Sequence, residues 1–309
     1  MTVNPELVQV VRSGFVESTH RGSLVITRPD GTVQLALGAV DRPVFTRSSS
    51  KPLQATGMLR AGLEVDDEDL AFACASHNGE PGHVARAVAM LAAAGLDESA
   101  LVCPPDNPLH EGSRVPGEQP RRAAMNCSGK HSAMLMTCVQ RGWATQGYEQ
   151  PDHPLQQVIA ETITALTGES VAATGVDGCG APLLAFSLTG LARAFSRLVV
   201  GADSRVADAM RRSPWLVAGT GREDTVLMRA VPGLLIKGGA EGVHAFCLAD
   251  GTAFALKVDD GAQRARLPLL LAALGYLGVG GGPEVAGLPA NVVLGGGHPV
   301  GTYRVVAPL

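Results

Sequence analysis

What most constrains this chain is a change of period along it. Apolar residues alternate near both ends and recur at helical spacing in between. Residues 7–40 read as strands, LVQVVRSG and then SLVITRPDGTVQLALG, with a turn at Pro29-Asp30-Gly31. From residue 51 the pattern switches. KPLQATGMLRAGL, GHVARAVAMLAAAGL, SGKHSAMLMTCVQRG and DHPLQQVIAETITALTG place apolar residues three and four apart. Gly62, Gly95, Gly142 and Gly168 stand where helix C-terminal caps belong. Further helices read over 182–198, 202–212 and 222–230. Strands return at 233–238, 243–249 and 252–258, with Asp250-Gly251 as a hairpin turn. A helix near 261–276 and a strand at 302–307 complete the pattern. This order predicts an α+β fold: an antiparallel sheet built from N- and C-terminal strands, flanked by helices, with a helical middle region. One domain is expected over 1–309. Its sheet portion covers about 1–50 and 232–309, its mainly helical portion about 51–231, and a cleft is expected where they meet.

Composition narrows the function classes. With 46% apolar and 17% charged residues and a net charge of -4, the chain reads as an ordinary globular protein. Nothing in that charge calls for nucleic acid or an acidic membrane surface as a partner. The N-terminal residues show no basic segment followed by an apolar one, so a cytoplasmic location is expected. The uncharged run between Arg266 and Glu284 contains Pro268, Pro283 and several glycines, and reads as a buried helix and loop, not a membrane span. The six scattered cysteines read as free thiols or metal ligands. Of 25 Lys and Arg residues only 4 are Lys (51, 130, 237 and 257), leaving 21 Arg. Arginine cannot replace lysine where an amine must lose its proton, so each remaining lysine is a candidate for chemistry.

Four stretches carry that chemistry. In Ser48-Ser49-Ser50-Lys51, Ser48 and Lys51 lie one turn apart, and a neutral Lys51 would take the proton of Ser48 as it attacks a carbonyl. Bringing a lysine from a pKa of about 10.4 toward 7 costs roughly 4–5 kcal/mol of desolvation or like-charge repulsion, to which Arg47 would contribute. The structural alternative is that these serines cap a helix whose first turn holds Pro52. Pro52 also biases Lys51 away from helical geometry. The second stretch, Ser76-His77-Asn78-Gly79-Glu80, is a polar turn before a helix opened by Pro81. It offers binding groups and a second hydroxyl, or else a simple capping turn. The third combines Cys127, Lys130 and His131 with Asp177 and Cys179, which reads either as a zinc set or as buried thiols beside a capping turn. Its spacing is not that of a zinc finger. The fourth is Lys237, leaving an apolar strand just before Gly238-Gly239, with Arg222 as a candidate carboxylate clamp. The strand-end alternative for Lys237 is a snorkelling side chain. The run 295-GGGHPVG-301 lacks the Gly-Lys-Ser/Thr of a P-loop.

Taken in order, RSSSKP, ASHNGE, NCSGKH, DGCGAP, AGTGRED and KGGAEGV resemble the Rhizobium-type L-asparaginases, the asparaginase II family, over nearly the whole chain. The resemblance implies a serine β-lactamase/penicillin-binding-protein-like fold and hydrolysis of L-asparagine to L-aspartate and ammonia. It implies two Ser–Lys pairs, Ser48 with Lys51 and Ser76 with Lys237, and a zinc site at Cys127, Lys130 and Cys179 with Asp177 close by. Homodimers are implied as well. Arg47, His77, Asn78, Asp177 and Arg222 are the expected substrate-binding residues. The sequence departs from the family pattern in carrying Glu223 where a cysteine often follows the arginine, and in being short. The rival expectations are a glutaminase or other serine amidase or esterase of the same fold, or a non-catalytic zinc or amino-acid binding protein.

Overall fold

A computed structural model describes residues 3–202, 204–280, 282–288 and 292–309. Its strands are β1 (Glu6–Arg12), β2 (Phe15–Thr27), β3 (Val33–Leu37), β4 (Val44–Phe45), β5 (Ala173–Val176), β6 (Pro182–Phe186), β7 (Leu235–Gly238), β8 (Val243–Cys247), β9 (Ala253–Val258), β10 (Val293–Gly295) and β11 (His298–Val305). Its helices are α1 (Lys51–Arg60), α2 (Asp67–Ala73), α3 (Pro81–Ala93), α4 (Ser128–Arg141), α5 (Pro154–Thr167), α6 (Leu188–Val200), α7 (Ser204–Arg212), α8 (Pro214–Val217), α9 (Glu223–Ala230), α10 (Arg266–Tyr276) and α11 (Gly282–Ala286). Residue 203, at the start of the helix expected over 202–212, lies outside the described residues.

The two ends of the chain meet in one antiparallel sheet, as the period change predicts. Among the described residues its order is β10-β11-β1-β2-β9-β8-β7, with β3 also paired to β2. Val8 lies opposite Val305, and Ile26 opposite Phe254. The second half of β2 is buried without alternation because β3 and β9 flank it and α6 packs over it. Helix α6 presents Leu188, Leu191, Ala192, Phe195 and Leu198 to the core, all 0% exposed. Helix α10 packs on β1, β9 and β11. The turn at Pro29-Asp30-Gly31 forms as read, with Asp30 Oδ1 accepting from Thr32 N at 2.9 Å.

The helical middle is less uniform than the sequence suggests. The helix read over 182–198 is two elements, strand β6 and helix α6, separated by Ser187, whose Oγ accepts from Gly190 N at 2.8 Å. PLLAF is buried at all five positions, so it lacks the alternation that marks a half-exposed strand. With β4 and β5 it makes a second sheet of order β4-β6-β5. Likewise, 295-GGGHPVG-301 is the turn and return strand of the β10–β11 hairpin.

The helices that carry the site pack closely. A Cβ on Gly57 of α1 would come 2.9 Å from Ile159 Cα of α5. On Gly129 of α4 it would meet the Phe72 carbonyl of α2. The six cysteines are free and buried. Among the described residues no helix is long and apolar enough to cross a membrane.

Candidate active site

Three of the four lysines are about 1% exposed, Lys51, Lys130 and Lys237. Lysine is almost never fully buried without partners, so the interior must be built to hold each of them.

Lys51 opens α1 after a 3₁₀ turn, Arg47–Ser50. Neither helical segment is capped by a serine side chain. Ser49 Oγ instead donates to Lys237 O at 3.1 Å, and Ser50 Oγ to Arg47 O at 2.9 Å. Ser48 is half-buried, and among the described residues its hydroxyl has no hydrogen-bond partner. Pro52 does occupy the first turn, yet Lys51 is helical (φ -59°, ψ -37°), so tertiary contacts override the bias set by the proline. The turn is entered through strain. Arg47 has φ 51°, a left-handed conformation that costs a non-glycine residue about 1–3 kcal/mol. Its Nε donates to Asp177 Oδ1 at 2.8 Å, and its Nη1 lies 3.9 Å from Glu241.

Lys51 Nζ lies within hydrogen-bonding reach of three groups: the Ala75 carbonyl, Ser76 Oγ at 3.0 Å and Cys127 Sγ at 3.1 Å. Its hydroxyl partner is therefore Ser76, from the turn after α2, and not Ser48. Lys237 hydrogen-bonds to Gly238 O at 2.8 Å and lies 3.6 Å from Asp224 Oδ2, and it has no hydrogen bond to Ser76 among the described residues. Burial pushes its pKa down to about 8. Asp224 pulls it back up, while Lys51 and Arg222 add to the downward push.

The ASHNGE turn holds the rim. His77 is fully buried. Its Nε2 meets Ser128 Oγ at 2.9 Å and its Nδ1 accepts from Gly79 N at 3.0 Å. Both ring nitrogens are thus spent inside the protein, and burial keeps the ring neutral. Its bonds shape the turn, and it offers no free ring nitrogen to a substrate. Asn78 Nδ2 donates to Thr220 O at 3.0 Å, and its Oδ1 accepts from Arg222 Nη1 at 3.1 Å. Glu80 accepts from Thr220 N and Thr220 Oγ1, both at 2.8 Å. These bonds lock the ASHNGE and AGTGRED segments together, with the half-buried Arg222 guanidinium between them. The rings of Phe72, His77, His83 and Trp215 stack in one column behind the turn, with successive centroids 5.0, 4.9 and 4.0 Å apart.

Cys127, Lys130 and Cys179 also converge. Lys130 Nζ donates to Cys179 Sγ at 3.1 Å. A hydrogen bond from Cys127, followed by the charge of Lys130, holds the Cys179 thiol far below its ordinary pKa against the opposing effect of burial. Asp177 stands at the same turn, bound to Arg47. His131 Nδ1 meets Tyr148 Oη at 2.7 Å. Among the described residues, no group of three or more His, Cys, Asp or Glu side chains is placed to hold a metal ion. A metal ion bound by Cys127 and Cys179 would need the Lys130 amine as its third donor. Two sulfurs and a nitrogen suit a zinc ion in kind, provided Lys130 gives up the proton it shares with Cys179.

Two buried groups escape the sequence reading. Asp224, 3% exposed, accepts from His244 at 2.7 Å and from Gly238 N at 2.9 Å. Asp224 lies within AGTGRED. His244 faces Gly238 across the β7–β8 pair, so strand register following Lys237 is the signal that would have found it. A groove of about 370 Å³ lies elsewhere, on the outer side of Gly79 and Pro81, lined by Val84, Val88, Pro108 and Arg121.

No curated protein matches the chain. Among solved structures it is similar to Mglu in its native form, at 12% identity and a TM-score of 0.49, covering 90% of this chain and 70% of that one. It is similar to a β-lactamase from Mycobacterium bovis, at 14% identity and a TM-score of 0.42, covering 82% of this chain and 94% of that one. A putative β-lactamase from Bacteroides dorei aligns at 15% identity with a TM-score of 0.44, covering 82% and 92%. The model of the L-asparaginase II family matches residues 8–305, and the chain therefore belongs to that family of amidohydrolases.

Proposed function

We propose that the chain hydrolyses L-asparagine to L-aspartate and ammonia through a serine ester. The buried Lys51 amine 3.0 Å from Ser76 Oγ carries this reading, because a binding protein has no need of an amine held beside a hydroxyl. Ser48, the hydroxyl with no partner of its own, attacks the side-chain amide carbon, and Lys51 takes its proton. The proton passes to the leaving nitrogen as ammonia departs, and water then cleaves the ester. Ser76, bonded to Lys51, and Lys237 relay protons and add positive charge. Arg222, fixed by Asn78, and Arg47, fixed by Asp177, orient the substrate carboxylate at the rim. Zinc held by Cys127, Lys130 and Cys179 would supply a fixed positive charge that positions these groups. The enzyme would act as a homodimer, which light scattering of the purified chain tests.

Ammonia release from asparagine, glutamine and simple esters tests the reaction. Asparagine should give the highest kcat/KM, and Ser48→Ala and Lys51→Ala should each abolish release while the fold stays intact. Full activity in Ser48→Ala would sink the nucleophile assignment. The 3.0 Å bond between Lys51 and Ser76 favours a second reading, in which Ser76 is the acylated residue. Mass spectrometry of the enzyme trapped with a reactive asparagine analogue decides between the two serine peptides.

A further inference from the structure

The Ser–Lys scheme leaves one buried anion without a role. Both carboxylate oxygens of Asp224 are occupied: Oδ1 accepts from His244 Nε2 at 2.7 Å, and Oδ2 accepts from Gly238 N at 2.9 Å with Lys237 Nζ 3.6 Å away. The surrounding groups come from adjacent strands, Lys237 and Gly238 from β7 and His244 from directly opposite Gly238 on β8. His244 is 0% exposed, and its Nδ1 has no partner among the described residues. With Nε2–H given to Asp224, a proton on Nδ1 would be buried with no acceptor, so the ring stays neutral. Asp224 therefore remains the anion of the group, and two neutral donors keep it one.

We propose that Asp224 and His244 are positioning residues for Lys237, the Asp224 carboxylate serving as the counter-charge for the ammonium formed when Lys237 takes up a proton during amide hydrolysis. This rests on the amidohydrolase reading with Lys237 in the proton relay. The step balances without any further reactant. The proton that Lys51 takes from the attacking hydroxyl is relayed by Ser76 to the lone pair of Lys237 Nζ as the carbon–oxygen bond forms, and it returns by the same path to the leaving nitrogen as the carbon–nitrogen bond breaks. Asp224 stays ionised and His244 neutral throughout, the division of labour found where an aspartate supports a general base.

The other charges facing Lys237 are Lys51 from α1, Arg222 from the start of α9, and the thiols of Cys127 and Cys74. Arg266 and Glu223 face His244, and their charges are spent on each other at 2.5 Å. Asp224 is thus the carboxylate placed to stabilise the Lys237 ammonium.

The chain holds only 4 lysines, so lysine labelled with ¹³C and ¹⁵N gives a spectrum in which Lys237, assigned with Lys237→Arg, is followed directly. In Asp224→Asn the titration of Lys237 should move to lower pH by about one pH unit or more, the size expected for removing an opposite charge 3.6 Å away. kcat for ammonia release should fall at least about tenfold while KM changes by less than about threefold. If Asp224→Asn does not fold, the His244 pair decides: His244→Gln keeps an N–H for Asp224 and should retain more kcat than His244→Leu. An unmoved Lys237 titration in Asp224→Asn, or equal kcat in His244→Gln and His244→Leu, overturns the proposal. A wild type that releases no ammonia from asparagine or glutamine overturns the activity reading and the catalytic step with it, and the Lys237 titration separately decides whether Asp224 sets the charge.

Discussion

Burying Lys237 has a price in stability that pH should reveal. Its pKa falls from an ordinary 10.5 to about 8, with burial as the largest cause. Below pH 8 the amine is protonated in both the folded and the unfolded chain, and the fold carries the full penalty. Between pH 8 and 10.5 the folded chain loses this proton while the unfolded chain keeps it, so stability rises with pH. At about 1.4 kcal/mol per pH unit, the rise is worth about 3 kcal/mol. Above 10.5 both states are neutral and the gain is complete. The other thiols, phenols and amines titrate over the same range, so the comparison must be a difference. Urea unfolding of the wild type and of Lys237→Met, followed from pH 7 to 10.5, isolates the one amine. The unfolding free energy of wild type minus variant should climb by about 3 kcal/mol across that window. Parallel curves, or a difference that falls with pH, would refute the claim that Lys237 is held toward neutrality by its surroundings.

Other perturbations test the frame of the site. Glu80→Ala removes the two bonds that hold Thr220 at 2.8 Å, and hydrogen bonds to a charged acceptor are worth about 1.5–3 kcal/mol each. Urea unfolding should show a loss of about 3 kcal/mol, and KM for the substrate should rise more than kcat falls because Asn78 and Arg222 share the same joint. Burial raises the Glu80 carboxyl, but Thr220 and Asn78 hold it net below its ordinary 4.5. The stability difference between wild type and Glu80→Gln should therefore be present above pH 4.5 and shrink as the pH falls through the folded value. Arg47→Gly should be more stable than Arg47→Ala by about 1 kcal/mol in thermal unfolding, since only glycine relieves φ 51°, and both should lose activity with the Asp177 contact. Gly129→Ala should lower the melting temperature, because its Cβ would meet the Phe72 carbonyl and lie 2.8 Å from the ring carbon Cδ1.

The sheet was legible because short apolar runs near both ends are bounded by turn signals, even where, as in β8, every position is buried. β1, β3, β8 and β9 fall within the segments read as strands, and the Asp30 and Asp250 turns mark their hairpins. β6 was not, because PLLAF is covered on both faces and runs straight into a helix. The candidate site was legible through composition. In a chain that uses 21 arginines, the lysines at 51, 130 and 237 stand out, and all three are buried. What stayed hidden was partnership. Sequence spacing places Ser48 one turn from Lys51, yet Lys51 reaches across to Ser76, 25 positions away. Asp224 and His244 join Lys237 only through strand register. Such pairings depend on packing between segments far apart in the chain, which local spacing does not encode.

The antiparallel ladder that joins the two ends also fixes the order of assembly. β1 gains its second neighbour only when Val305 reaches Val8, a closure across about 300 residues. Ser49 of the turn before α1 likewise waits for the carbonyl of Lys237. At about 5–20 residues per second of synthesis, that wait lasts roughly 10–40 s. Meanwhile Leu24, Val25 and Ile26 of β2 lack the β9 strand that will cover one edge of them. A growing chain therefore carries an open, apolar strand edge for most of its synthesis, and its yield on expression should respond to the supply of chaperones that shield such edges.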